Sequence, residues 1–458
     1  MSKLISINSS NYKEIGSVEI SSYDEVKIKV DLANKSKVVW KNLGTPKRVE
    51  LLRTVFDEIK QRKEEIALLE AQEMGTPLTD ALIDVDGTLD YANWYFDNAE
   101  KYLTPEITFE NENEIHQVVY EPIGVAALIT SWNFPLANFV WGGLQSLICG
   151  NVVVMKHSEE VPLCSKLIED IMSNHSLPEG VFNVVYGAGD VGNILIHENI
   201  DLISFTGSTK TGKQIYKIAG EKFIKAVVEL GGSAPGVVFE DADLDIASKN
   251  ICFNRLINQG QCCDGLKRVI VHENIANELI NRLKIQFEGK KIGDAVNKDT
   301  EIGPLVAKRQ LDLLITQVDD AVQNGAEVVT GGKSLEKELG GAFYQPTILK
   351  NVTSSMRVWK EEVFGPVLPV MTFRTEEEAI ELANDTVYGL GAYIYTQNRD
   401  IIERVSSAIQ SGMVSVNGAN YIMPFNPFGG YKDSGFGREH GKYGFHELTQ
   451  VKIIAKNK

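Results

Sequence analysis

The sequence predicts an α/β protein built on parallel sheet, and three observations support this. From Gly124 onward, short β-rich runs alternate with segments long enough to hold a helix. A second alternating series begins near Ala247, whereas the first hundred residues carry helical periodicity. Parallel neighbours need long crossovers, and helices laid on both faces of the sheet are the packing that buries it.

Taken in order, Pro46 to Gln72 places Val49, Leu52, Val55, Phe56, Ile59, Ile66 and Leu69 mostly at steps of three and four, the spacing of an amphipathic helix. Asp80 to Tyr102 continues in that manner. Ile107 to Tyr120 is acidic and alternating, which predicts a β-hairpin or arm ending at Glu121-Pro122. Val125–Ile129, Val152–Met155, Val181–Val185 and Leu202–Phe205 read as buried strands, and Val227-Val228 leads into Glu229. Val269–Val271, Glu327–Val329 and Val367–Met371 belong to the second series. No repeat or low-complexity linker separates the two, so closely packed domains are expected.

At 458 residues the chain calls for two or three domains. A net charge of −16 argues against nucleic-acid or anionic-membrane partners. Met1 to Gly16 lacks the basic-then-apolar pattern of a signal peptide, and no run is apolar enough to span a bilayer. Five cysteines in a chain of this size argue against a disulfide scaffold, and the expected location is cytoplasmic.

Two glycine clusters follow strands and open helices. Gly187-Ala-Gly189-Asp-Val-Gly192 is a literal G-x-G-x-x-G, although an ordinary strand–helix turn matches equally often. Phe205-Thr-Gly207-Ser208 could hold a pyrophosphate on backbone N–H groups and the Ser208 hydroxyl. Lys156-His-Ser-Glu159 ends a third strand; its lysine and carboxylate could bond a ribose, or lie in a solvated loop. A carboxylate at Glu159 accepts from a free 2′-hydroxyl and repels a 2′-phosphate, which favours NAD over NADP.

Asn258-Gln-Gly-Gln-Cys262-Cys263 sets two thiols after a glycine turn. A lone cysteine is usually a small core residue, but two in a polar turn raise the odds of an accessible thiol. No Cys/His spacing suits zinc, so no metal is expected. Glu229-Leu-Gly-Gly232 leaves a carboxylate at a strand end, where open α/β sheets place their ligands. Trp132-Asn-Phe-Pro135 also follows a strand and reads otherwise as a turn with buried aromatics.

These motifs, with Glu362-Val-Phe-Gly-Pro366 and Pro427-Phe-Gly-Gly-Tyr-Lys432, occur in the order and spacing of one family. The chain resembles the aldehyde dehydrogenase superfamily over essentially its whole length, with a somewhat shortened N-terminus. The resemblance implies that Cys263 is the nucleophile, with Cys262 at a variable site beside it. It implies an oxyanion hole made by the Asn133 amide and the Cys263 backbone N–H, and Glu229 as the base that activates water on a thioester. Glu362 resembles the nicotinamide-ribose ligand, with Phe364 beside the ring. Lys156 and Glu159 match the adenosine-ribose ligands and Ser208 the pyrophosphate contact, with Trp132, Gly189 and Gly207 lining the same cofactor site.

The implied fold is a Rossmann-like NAD-binding domain over 1–105 and 122–230 and a catalytic α/β domain over 231–430. An oligomerisation arm with the C-terminal segment takes up 106–121 and 431–458. The alternating arm segments, Ile107–Tyr120 and Glu447–Ala455, suggest edges that pair with a neighbouring subunit in a homodimer or homotetramer.

One departure stands out. Many relatives carry a lysine nine residues after the motif asparagine, a partner of Glu439 in a proton relay; here that position is Gly142. Water activation is then expected to be slower, by another route. Relatives that act on semialdehyde acids carry an arginine eight residues after the asparagine, and this chain has Trp141. With Phe134, Asn138, Ile257, Tyr421 and Ile422, Trp141 implies an uncharged aliphatic or aromatic aldehyde. The alternative is succinic semialdehyde or a related acid, held by Arg255 or Lys267. A protein of another class, a non-catalytic binder or a Cys262–Cys263 redox sensor on the same fold, is the remaining rival.

Overall fold

The computed structural model describes residues 2–458. Two parallel-rich sheets dominate it. The first has six strands in the order Gly435–Phe436, Lys225–Glu229, Leu202–Thr206, Val125–Ile129, Val152–Lys156 and Phe182–Val184. All neighbours are parallel except the short Gly435–Phe436 pairing. Chain order runs outward in both directions from Val125–Ile129, which makes a switch point where two strand ends diverge and a ligand crevice opens.

The second sheet has seven strands, ordered Glu327–Thr330, Thr347–Lys350, Val367–Phe373, Leu266–His272, Ala234–Val238, Gly391–Tyr395 and Met413–Val416. Only the outermost pair, Glu327–Thr330 with Thr347–Lys350, is antiparallel. The strands Ala234–Val238 and Gly391–Tyr395 escape a reading for β-branched runs because Pro235, Gly236 and Gly391 interrupt them. Both are buried on each face, which supplies from packing what their composition lacks.

The first hundred residues hold four helices, Tyr23–Asn42, Gly44–Gln61, Lys63–Glu73 and Leu78–Leu103. Before them comes an antiparallel hairpin, Lys3–Ile7 with Glu14–Glu19, that helical periodicity did not announce. Trp40, Leu52, Phe56, Tyr95 and Phe96 share one core with the strand Val125–Ile129. Separate cores, one around Trp359 and Phe373 and one around Leu266 and Phe287, cover the second sheet.

The helix Lys63–Glu73 carries two buried carboxylates that reach the crevice loops. Glu70 accepts from the Leu136 N–H, just past Trp132–Pro135. Glu73 accepts from Ser6 Oγ at 2.5 Å and from the N–H groups of Leu163 and Cys164, in the first turn of the helix Pro162–Ser173. A carboxylate at a helix N-terminus satisfies donors that have no partner within the helix.

The arm is a three-stranded antiparallel sheet of Glu106–Glu110, Glu114–Pro122 and Thr449–Asn457. The segment 431–458, grouped with the arm from the sequence, divides in the structure. Gly435–Phe436 joins the six-stranded sheet, and Phe445 and Leu448 enter the core beneath it; only the last strand belongs to the arm. Ile107, Phe109, Val451 and Ile453 are exposed on the arm. No helix is long and apolar enough to cross a membrane among the described residues.

Glu73→Ala leaves three donors without their acceptor and should lower stability by about 2–3 kcal/mol. Thermal unfolding should show a clear fall in midpoint for Glu73→Ala and a smaller one for Glu73→Gln, which keeps an acceptor. Equal midpoints for the two variants would show that the cap contributes nothing.

Candidate active site

A single cavity of ≈ 1130 Å³ runs between the two sheets. Its mouth on the six-stranded sheet is lined by Lys156, Glu159, Gly189, Gly207 and Ser208. Ser208 is the N-cap of the helix Thr209–Lys222, its Oγ accepting from the Thr211 N–H. Gly187 has φ +150 with its Cβ position blocked by Val191, so it makes the tight turn. Gly189, with nothing within 4 Å of its Cβ position, leaves open space above the helix start. Lys156 is buried and lies 3.5 Å from Glu159, whose side chain is 40% exposed. Burial pulls the Lys156 ammonium below its usual range, and Glu159 partly offsets this.

Cys263, Glu229 and Asn133 all line the middle of the cavity. The turn before the thiols is held in an unusual conformation: Asn258, Gln259 and Gly260 have φ of 49°, 54° and 76°. A Cβ on Gly260 would lie 2.3 Å from the Gly365 carbonyl oxygen, so glycine is required there. Asn258 accepts from Thr76 Oγ1 at 2.8 Å and donates to the Asn133 carbonyl at 2.8 Å. Gln261 Oε1 accepts from the Val306 N–H. Arg255 donates to the carbonyls of Gly260, Val363 and Gly365. Desolvation brings its pKa down to about 10.

The Asn133 carboxamide donates one N–H to the Gln261 carbonyl and accepts from Ser131 Oγ, which leaves its second N–H free. Glu229 ends the strand Lys225–Glu229, is 3% exposed, and neither carboxylate oxygen has a hydrogen-bond partner. Desolvation raises its pKa well above the ordinary range, with Glu439 and Cys263 adding to the rise. Glu439 also lines the cavity, and burial raises it to about 7. A Cβ on Gly142 would fall 2.8 Å from Leu128, 2.9 Å from Ser204 Oγ and 3.8 Å from Glu439. A side chain at position 142 would have to displace the Leu128 and Ser204 side chains, and no salt bridge reaches Glu439 among the described residues.

Trp141 lies in a π-helical turn, Phe139–Leu144, a form that clusters at functional sites. Its ring stacks on Tyr91 at 5.5 Å and meets Phe428 at 5.2 Å. Phe134, Asn138, Ile257 and Ile422 line the same arm. Tyr421 packs with Trp141, Cys263 and Ile422 around Leu390, Met413 and Phe428, and its hydroxyl donates at 3.0 Å to Tyr393, which lines the cavity. Phe428 is the apolar wall residue missed; its signal was only its place within Pro427-Phe-Gly-Gly430.

Two carboxylates in this arm were also not foreseen. Asp84, on the helix Leu78–Leu103, has one oxygen enclosed without a partner, and burial raises its pKa to about 7. Asp264 accepts from Cys262 Sγ at 3.1 Å and lies 4.0 Å from Cys263 Sγ. Hydrogen bonding with Cys263, then burial and the neighbouring Asp264, push the Cys262 thiol well up. Of the two cations considered for an acidic substrate, Lys267 pairs with Glu362 at 2.6 Å, and Arg255 turns Nη2 to three carbonyls and lies outside the cavity lining. Glu362, Phe364 and Trp132 line the cavity at the junction of its arms, with the Trp132 and Phe364 rings edge to face at 5.4 Å. No metal-binding cluster of His, Cys, Asp or Glu occurs among the described residues.

Comparison with known proteins places this geometry in context. A family model described as the aldehyde dehydrogenase family matches residues 2–454. The chain is 37% identical to a peroxisomal aminoaldehyde dehydrogenase of Pisum sativum, over 99% of its own length and 92% of the relative's. It is 36% identical to a betaine aldehyde dehydrogenase of Bacillus subtilis, over 98% and 93%. Among solved structures, the betaine aldehyde dehydrogenase of Staphylococcus aureus in complex with NAD+ superimposes with a TM-score of 0.94 and 32% identity, over 99% and 91% of the two chains. A structure described as an E. coli NADP dependent enzyme gives 0.95 and 33%, over 100% and 95%. With these matches spanning both sheets and the thiol–carboxylate junction, the chain belongs to the aldehyde dehydrogenase family.

Proposed function

We propose that the protein uses NAD to oxidise an aldehyde bearing an ammonium or quaternary ammonium group to the carboxylic acid, through a thioester on Cys263. The observation that carries the substrate class is the charge of the arm beyond Cys263. Asp84 and Asp264 line it, and Asp84 has an enclosed oxygen without a partner. The lining cations Lys156, Lys217 and Arg309 come from the cofactor side and each pairs with a glutamate. The walls of Trp141, backed by Tyr91, and Phe428 suit a cation as well as an apolar group. An acid such as succinic semialdehyde would meet carboxylates with no free cation. The sequence reading favoured an uncharged aldehyde, from Trp141 at the arginine position and its apolar or aromatic neighbours; the lining carboxylates favour a cationic group in its place. The relatives named for aminoaldehydes and betaine aldehyde support the same class.

NAD suits the residues at the other end. The exposed Glu159 carboxylate offers an acceptor to a ribose 2′-hydroxyl and repels a 2′-phosphate, and the open N-terminus at Ser208 suits a pyrophosphate. When bound, NAD supplies the hydride acceptor. Cys263 attacks the aldehyde carbon, and the free N–H of Asn133 with the Cys263 backbone N–H holds the developing oxyanion. Glu229 then takes a proton from the water that cleaves the thioester. Desolvation raises the Glu229 pKa well above the usual carboxylate range and so opposes the ionisation it needs in order to act.

Three outcomes test this reading. Betaine aldehyde should be a better substrate than 3,3-dimethylbutanal, its neutral isostere, and Asp84→Asn should cut kcat/KM for betaine aldehyde by about tenfold while sparing the neutral compound. A wild-type preference for the neutral isostere would sink the cationic assignment. Because the Asp84 pKa is raised to about 7, a cation binds its ionised form, so KM for betaine aldehyde should fall as pH rises through 7. A parallel fall for 3,3-dimethylbutanal would remove Asp84 as the cause. Finally, Glu229→Gln should leave a single burst of NADH but slow the steady state by about 10²–10⁴-fold. Wild-type deacylation should rise with pH, because the raised Glu229 must lose its proton; a flat profile would remove Glu229 as the base.

A further inference from the structure

Lys267 lies within the strand Leu266–His272, four residues past the nucleophile, with its side chain 1% exposed. A buried ammonium is costly unless its donors are matched. Here Nζ donates to the Cys263 carbonyl at 2.6 Å and to Glu362 Oε1 at 2.6 Å, and it faces the Phe364 ring at 5.3 Å. Glu362 Oε1 also accepts from the Gly232 N–H at 3.0 Å. The fit is close on the far side too. A Cβ on Gly231 would lie 2.2 Å from Glu362 Oε2, and one on Gly232 would lie 2.5 Å from the Cys263 carbonyl oxygen. One ammonium therefore ties together the nucleophile's own backbone, the Glu362-Val-Phe364 loop and the glycine pair that follows Glu229.

We propose that Lys267 is a positioning residue that holds the Glu362 carboxylate in register with the backbone of Cys263, and so sets the grip on the nicotinamide end of the cofactor. The inference rests on the reading of Glu362 as a nicotinamide-ribose ligand. The contacts explain why the charge is needed. Unpaired, a carboxylate at this depth would protonate or swing toward solvent, and either change removes an acceptor from the ribose hydroxyls. The acylation and deacylation machinery, Cys263 and Glu229, makes no hydrogen bond to the Lys267 ammonium other than through the Cys263 carbonyl. Lys267 should therefore govern cofactor capture and the hydride step while sparing thioester hydrolysis.

The test compares Lys267→Met, Glu362→Gln and the double variant by three readouts. These are the NADH dissociation constant from cofactor fluorescence, the NADH burst rate with betaine aldehyde, and cofactor-free hydrolysis of p-nitrophenyl acetate. Lys267→Met should weaken NADH binding and slow the burst by about tenfold each, with ester hydrolysis within about twofold of wild type. The double variant replaces the ion pair by a neutral pair, so it remains informative if Lys267→Met fails to fold. It should bind NADH no more weakly than Glu362→Gln alone. Ester hydrolysis falling in step with the burst would show that Lys267 merely supports the nucleophile loop, and would overturn the proposal. Additive losses in the double variant would also overturn it. If Glu362→Gln itself leaves NADH binding unchanged, the ribose reading of Glu362 fails; if only Lys267→Met does, the positioning role alone fails.

Discussion

The site depends on holding a short stretch of backbone in a conformation it would not adopt unaided. Asn258 and Gln259 sit in the left-handed region, at about 1–2 kcal/mol each for residues with a Cβ. Gly260 follows where no side chain fits. What offsets this strain is the guanidinium of Arg255, buried and aimed at three carbonyls instead of a carboxylate, with Asn258 stitched to Thr76 and Asn133. The reward is geometric. The turn delivers Cys263 into the cavity, while its neighbours are locked by hydrogen bonds to three separate parts of the chain.

Charge in the cavity is partitioned with equal care. Cations stand at the cofactor end, each with a glutamate, and carboxylates collect beyond the thiol. Glu229 and Glu439 are both buried and make no salt bridge, with Arg438 only partly offsetting the rise at Glu229, and Asp84 adds to the rise at Glu70. Burial raises all four carboxyl groups, and a like charge nearby adds to the rise at Glu229 and Glu70. The glycine at position 142 is part of this arrangement. In the π-helical turn the Leu128 and Ser204 side chains fill the place beside Gly142, and no lysine stands near the two glutamates there.

The two thiols illustrate how one residue's shift separates near-identical groups. Cys262 donates to Asp264 and is pushed well up by its neighbours, whereas Cys263 stands at the edge of that contact, facing the cavity. Asp264, directly after Cys263, thus engages the Cys262 thiol and, through its place in the lining, adds a carboxylate to the cavity wall.

Much was legible in the sequence because the chemistry is written in contiguous residues at strand ends. Glu229, Cys263, Asn133, Glu159 and Ser208 each follow an apolar run or a glycine turn, and a parallel sheet must bring such ends to one crevice. The buried strands from Val125 to Phe205 showed for the same reason, since a strand covered on both faces needs an unbroken apolar run. Tertiary structure alone decided the rest. Asp84 reaches the site from an N-terminal helix whose pattern reports only its core-facing side. Tyr421 pairs its hydroxyl with Tyr393, a partner no spacing announces. Lys267 and Arg255 could be read as substrate cations until packing matched one with Glu362 and the other with three carbonyls. What a charge does depends on which partners share its burial, and those partners come from segments far apart along the chain.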